Sequence, residues 1–359
     1  MNDGDSLRDA EAKNIDVVAL GELLVDFTQV ASPDADRPTF EQNPGGAPAN
    51  MVATCARLGL ACEFVGKVGA DAMGDYLTSC LERAGVGTSN LMHDEESFTT
   101  LAFVQVDPVT GERTFSFARK PGADTRITPD ELDTELISHA KLLHVGSLSL
   151  TDEPARSATE VAVRLAHAGG VLVSYDPNYR PSLWPDAQQA VTRMGSLIGQ
   201  ADLMKVSLEE AVLLTGDQAD GSSHDAVQPS ATAGATPNDV TTAVLTASEL
   251  LRRGPRLVAV TLGSDGAFIA TKTASAFIPP CPPRSLTDTT GAGDVFWGSF
   301  VSWLLRDAGV RTAADLDALD GASLTTGGTY ACTAASISVE RRGGLPSIPS
   351  PAEVLERLG

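Results

Sequence analysis

Asp294 stands directly after a glycine–alanine–glycine turn, in DTTGAGD (288–294), ahead of the apolar run VFWGSF. A turn of small residues that opens a helix can aim several backbone N–H groups at one point, and the helix dipole favours negative charge there. An acid at that place can be an ordinary helix-capping charge. It can also be a base: with a reference pKa of about 3.9, Asp294 is a carboxylate at neutral pH. It would then take a proton from a neutral hydroxyl while the N–H groups of Gly291, Ala292 and Gly293 hold charge on a transferring phosphoryl group. The turn by itself leaves both readings open.

A second constellation lies far upstream, in NPGGAPAN (43–50). Gly45 and Gly46 permit close backbone approach, and the amide of Asn50 both donates to and accepts from hydroxyls. Asp26, read as the end of a first strand, falls where open α/β sheets bind ligands, outside the carboxyl ends of their strands. A carboxylate and an amide suit a polyhydroxy ligand; a plain turn and helix cap is the alternative. Two familiar phosphate loops are excluded. GxGxxG starting at Gly291 meets Phe296 where its last glycine belongs, and Gly66-Lys67 is followed by Val68 rather than by a hydroxyl residue.

The elements that must position these residues follow from hydrophobic period. Short apolar runs (IDVVAL, KLLHVGSL, GVLVSYDPN, ADLMKVS, RLVAVTLG) alternate with helical stretches, as in a doubly wound parallel sheet. TTLAFVQVDPVTGERTFSF (99–117) differs, with two alternating segments joined through Pro108, Thr110 and Gly111, the pattern of a hairpin. With the extended material after Asp26 it makes a small separate sheet. The expected organisation is a loose tail over 1–13, one α/β domain over 14–350, lid segments near 26–43 and 97–120, a polar surface insertion at 217–240, and a helix end at 351–359.

Composition narrows the partners. The chain of 359 residues carries 47 acidic against 26 basic side chains, a formal charge of −21, which argues against nucleic acid. Five cysteines without CxxC spacing argue against a disulfide framework or a zinc site. No run approaches the ~20 apolar residues of a membrane span, and the polar N-terminus lacks a secretory apolar stretch; a soluble cytoplasmic protein is expected.

GGAPAN, DTTGAGD and GKVGADAMGDYL, in that setting, resemble the ribokinase-like (PfkB) carbohydrate kinase family, and RKPGAD, VGSLSL and SYDPNYRPSLWP follow the order seen in fructokinases. The resemblance runs from about residue 15 to residue 350. It implies a mostly parallel sheet flanked by helices with a small β-sheet lid, and ATP-dependent phosphorylation of a sugar hydroxyl, with fructose giving fructose 6-phosphate. A 2-keto-3-deoxygluconate-type sugar acid kinase and, from another class, a non-catalytic sugar- or nucleotide-binding regulator are the alternatives.

By the same resemblance Asp294 is the base, and Gly291, Ala292 and Gly293 form the anion hole. Asp26, Gly45, Gly46, Asn50, Arg119 and Arg180 lie near the sugar, the last in DPNYR (176–180). Lys205, Ser207, Thr261, Gly263, Ser264, Gly266 and Cys332 fall to the nucleotide. Glu210, closing SLEE (207–210), orders water on Mg²⁺; Ser207 stands where the family usually has asparagine. Asp288 and Thr290 map onto a monovalent-cation site for K⁺. The resemblance further implies a homodimer through the lid.

Overall fold

A computed structural model gives the fold, and it describes residues 15–30, 37–106, 113–216 and 237–359. The expected tail and residues 217–236 of the expected insertion lie outside the described residues. Residues 237–240 belong instead to the first turn of a helix, Pro237–Arg253.

Fourteen strands are described, β1 (Val17–Leu20), β2 (Leu24–Val30), β3 (Thr39–Gly45), β4 (Cys62–Gly69), β5 (Val86–Gly87), β6 (Leu91–Asp94), β7 (Leu101–Val106), β8 (Arg113–Ala118), β9 (Leu142–Gly146), β10 (Leu172–Asp176), β11 (Leu203–Ser207), β12 (Leu257–Thr261), β13 (Ala267–Thr271) and β14 (Ser275–Ile278). The large sheet runs β14-β13-β12-β11-β10-β9-β1-β4-β5, with β6 also on β4. It is parallel except at β13 and β14. Its strands are continuous runs such as VVAL and LVAVT because both faces are covered.

Alternate residues of β1 show the two cores. Val17 and Ala19 face one side, with helices α1 (Ala47–Arg57) and α2 (Ala72–Arg83). Val18 and Leu20 face the other, with α3 (Thr134–His139), α4 (Ala155–Gly169), α5 (Ala187–Ile198), α6 (Leu208–Thr215) and α7 (Pro237–Arg253). The first side is completed by α8 (Ala292–Arg306), α9 (Ala313–Asp317), α10 (Gly321–Ser338) and α11 (Pro351–Leu358). The fold is therefore the expected doubly wound α/β one, with a small sheet of order β3-β2-β7-β8.

One expectation is corrected here. Asp26 does not end the first strand. The chain leaves the large sheet after Leu20, and Asp26 is the third residue of β2, opposite Asn43 of β3 and Ala102 of β7 in the small sheet. The apolar run IDVVALGELLVDF hides this break, because Leu23, Leu24 and Val25 are as buried as β1 itself.

Strand β1 lies between β4 and β9, so chain order reverses there and a crevice is expected beyond the carboxyl ends of β1 and β9. Pro48, in the first turn of α1, occupies it. A Cβ built on Gly21 would lie 2.6 Å from the Pro48 Cγ, and one on Gly146 3.4 Å from it.

Candidate active site

Gly291 caps the N-terminus of helix α8, and its φ of +76° is the left-handed region that glycine adopts freely. Ala292 turns its N–H onto the Thr289 carbonyl oxygen (3.3 Å). The N–H groups of Gly293 and Asp294 make no hydrogen bond among the described residues, as the first turn of a helix dictates. Lys205, the middle residue of β11, packs onto this turn: a Cβ on Gly293 would lie 3.0 Å from the Lys205 Nζ. Unbonded N–H groups, a helix N-terminus and the Lys205 ammonium thus lie together.

Asp294 is buried. Asn50 Nδ2 donates to its Oδ2 (2.8 Å), and Asn178 Nδ2 donates to its Oδ1 (3.2 Å). Burial pushes its carboxyl up to about 7, opposed by Lys205 and assisted by Asp176. A carboxyl poised there can accept a proton near neutrality. The buried Oδ1 of Asn50 has no partner among the described residues. Turning the amide round would set that oxygen against the carboxylate, so Asn50 presents an unused acceptor beside Asp294.

The turn DPNYR carries the neighbouring groups. Lys205 Nζ donates to Asp176 Oδ2 (2.9 Å) in a buried pair. Tyr179 N–H donates to Glu210 Oε1 (2.6 Å). Arg180, half-buried, donates to the Tyr179 carbonyl oxygen (3.1 Å) and lowers the proton affinity of both Asp26 and Asp294.

Asp26 reaches the same region from the small sheet. Burial raises its carboxyl to about 6, against the Arg180 charge and with Asp288. Gly45 makes room for it, since a Cβ there would sit 2.1 Å from Asp26 Oδ2; one on Gly46 would meet the Glu22 carbonyl oxygen at 2.3 Å.

Ser207 and Glu210 form a capping box on α6: Ser207 Oγ accepts from Glu210 N (3.2 Å) and Glu210 Oε2 accepts from Ser207 N (2.8 Å). Serine in place of asparagine therefore keeps a helix start. Both Glu210 oxygens are held by backbone N–H groups yet retain a lone pair each. No three His, Cys, Asp or Glu side chains gather as a metal cage among the described residues; the carboxylate oxygens of Glu210 are hard donors of the type that a magnesium ion keeping its waters takes.

Asp288 folds onto its own loop, its Oδ1 accepting from Thr290 N (2.9 Å) and Oγ1 (2.7 Å) and its Oδ2 from Gly343 N (3.0 Å). Thr261 ends β12 in register with Ser207, Gly263 and Ser264 are exposed just beyond it, and Cys332 is half-buried on α10. Gly266 is different: it is buried where the β12–β13 turn meets Ile278, whose carbonyl oxygen would lie 2.1 Å from an added Cβ.

Arg119 also departs from its neighbours. It is buried, and its guanidinium is committed to Asp124 Oδ2 (2.8 Å), Thr151 Oγ1 (2.8 Å) and the Leu148 carbonyl oxygen (2.9 Å). The spacing DxNxR in DPNYR (176–180) sets Asp176, Asn178 and Arg180 together at a strand's end but assigns a role to Arg180 alone; the structure brings the Asn178 amide to Asp294 and the Asp176 carboxylate to Lys205.

The family model for pfkB family carbohydrate kinases matches residues 14–351. The chain belongs to that family. The kinase is 36% identical over 344 residues to fructokinase-1 of Zea mays, spanning 95% of this chain and 97% of the maize protein. It superposes on a fructokinase of Xylella fastidiosa with bound ATP at a TM-score of 0.81 and 30% identity, covering 97% and 98% of the two chains. A fructokinase variant of Vibrio cholerae, bound to fructose, ADP and potassium ion, matches at a TM-score of 0.76 and 26% identity over 97% and 99%. No described helix of the kinase is long and apolar enough to cross a membrane.

Proposed function

We propose that the kinase transfers the γ-phosphoryl group of ATP to the primary hydroxyl of D-fructose, giving fructose 6-phosphate. The observation that carries this is the Asp294 carboxyl, buried at a helix N-terminus beside unused N–H groups and held by two amides. Asp294 takes the hydroxyl proton as the sugar oxygen attacks phosphorus. The bond from the transferred phosphorus to the bridging oxygen breaks, and its electron pair leaves with ADP. The N–H groups of Gly291 and Gly293, with Lys205, hold the charge of the group in transit, while Ala292, whose N–H is turned onto the Thr289 carbonyl oxygen, contributes its small size to the turn rather than the donor expected of it. Asp26 and the free Oδ1 of Asn50 orient sugar hydroxyls. Thr261, Gly263 and Ser264 border the nucleotide, with Cys332 toward its base.

Magnesium bound with the nucleotide neutralises phosphate charge; Glu210 would hold one of its waters. Asp288 and Thr290 would stand beside a potassium ion, as the potassium in the Vibrio fructokinase suggests. The small sheet acts as a lid that excludes water. On the face opposite Asp26, Phe27 stacks on Phe103 (centroids 5.5 Å) and Phe40 meets Phe103 edge-on (6.1 Å), all three half-buried. That aromatic face supports pairing of two copies through their lids, which light scattering would test. We place the enzyme in the cytoplasm.

Arg180 favours a second reading, a kinase for a keto-deoxy sugar acid, since an arginine fork with one hydrogen bond can grip a carboxylate. The Asp26 carboxyl in the same field opposes it. Turnover of ATP with fructose, ribose, adenosine and 2-keto-3-deoxygluconate, with and without K⁺, tests both. Fastest turnover of the sugar acid would overturn the fructose assignment.

A further inference from the structure

We infer that Asn178 is a positioning residue that fixes the carboxylate of Asp294 for proton transfer, and that its turn braces Asp294 against Glu210. The inference rests on Asp294 being the base. Each Asp294 oxygen accepts one amide N–H, from Asn50 and from Asn178, so rotation of the carboxylate about its Cβ–Cγ bond is stopped from both sides. Asn50 comes from the sugar-facing helix α1. Asn178 comes from the loop after β10, a second and independent anchor.

The backbone at Asn178 is unusual. Its φ of +44° is the one positive value outside glycine among the described residues, a conformation that asparagine tolerates but does not prefer. The surroundings over-determine it. Asn178 N–H donates to Asp176 Oδ1 (3.1 Å), and Lys205 holds the other oxygen of that aspartate. Ser147 Oγ donates to the Pro177 carbonyl oxygen, and Tyr179 N–H donates to Glu210. Strain retained by so many bonds points to a task for the side chain it aims. That side chain is buried and reaches Asp294. Consecutive residues, 178 and 179, therefore hold the proton acceptor and the acid assigned to magnesium-bound water at one separation.

Asn178→Gly tests this, because glycine adopts the same φ without cost and lacks only the amide. The expected result is an unchanged melting temperature, KM values for sugar and ATP within about twofold of wild type, and kcat lower by about tenfold to a hundredfold, the worth of one hydrogen bond to a charged group. In the Asp294→Asn background the same change should lower kcat no further, since it acts through that carboxylate. Asn178→Asp, which tolerates the same backbone but loses the donor and sets a second carboxylate against Asp294, gives at least that fall in kcat and serves if the glycine variant folds poorly. Full turnover in the variants that fold, or losses that simply multiply in the double variant, would overturn the inference. An inert Asp294→Asn beside an unimpaired Asn178→Gly sinks this inference alone. A wild type inert on every sugar, or an Asp294→Asn variant that turns over normally, sinks the proposed function with it.

Discussion

Asn50 and Asp294 lie 244 residues apart in sequence, yet 2.8 Å separate the amide nitrogen of one from the carboxylate oxygen of the other. The bond joins the first turns of α1 and α8, two helices that pack side by side on the large sheet. It brings the two motifs into one site: GGAPAN supplies the amide, DTTGAGD the carboxyl. Removing the charge from this pair gives the first expectation. Asp294→Asn should fold and bind sugar while kcat falls by about 10²–10⁴-fold, the usual worth of a general base. Steady-state kinetics with calorimetric sugar binding measure both; near-full turnover would remove the base from Asp294.

The second expectation concerns pH. Burial holds the Asp294 carboxyl up at about 7 in the folded protein, against an ordinary value of 3.8, so between those values the native state holds a proton that the unfolded chain has lost. Its contribution to stability is then greatest at low pH and declines as pH rises toward about 7. Asp294→Asn removes that dependence. Its melting temperature should match wild type at acid pH and exceed it increasingly up to neutrality. In parallel, kcat/KM of wild type should fall as pH drops below about 7. A Tm difference that does not change with pH would contradict the burial argument.

A third expectation separates sugar binding from chemistry. Asp26→Ala should raise the sugar KM by about tenfold to a hundredfold, as expected for losing hydrogen bonds to a charged acceptor. Gly45→Ala should do the same by displacing that carboxylate, which lies 2.1 Å from the new methyl position. The KM for ATP should hold in both. Equal rises in both KM values would mean that the small sheet serves the nucleotide as much as the sugar.

Arg119 offers the fourth. Replacing it with methionine leaves Asp124 buried without its charge partner, which should cost about 3–5 kcal/mol. Thermal unfolding should show that loss. A sugar-contacting arginine would instead raise the sugar KM at unchanged Tm.

How much of this was legible beforehand varies with the physics that encodes it. The parallel sheet was legible because buried strands such as VVAL and LVAVT are unbroken apolar runs, and the antiparallel pair β7–β8 because LAFVQV and RTFSFA alternate, the expected joint at Pro108, Thr110 and Gly111 lying outside the described residues. The crossing between sheets at Gly21–Leu23 was not, since a buried connection looks like a strand when every residue in it is apolar or glycine save Glu22. Asp294 stood out through its turn, although the turn by itself left helix capping and proton transfer equally open. The bond from Asn178 was not, because it rests on one left-handed residue and on a contact across 116 positions. The burial of Arg119 was missed for a similar reason: nothing within RKPGAD announces that Thr151 and Leu148 will close over the guanidinium.

Pro48 has a bearing on any attempt to redesign the enzyme. Its ring is seated on the glycines that follow β1 and end β9, so the floor of the cleft is solid backbone and proline, and carving there would cut into the sheet itself. Room for a bulkier acceptor has to come from the roof. If Asp26 orients the sugar as proposed, Asn43 and Ala102, its neighbours across the small sheet, are the positions to vary for a bulkier acceptor.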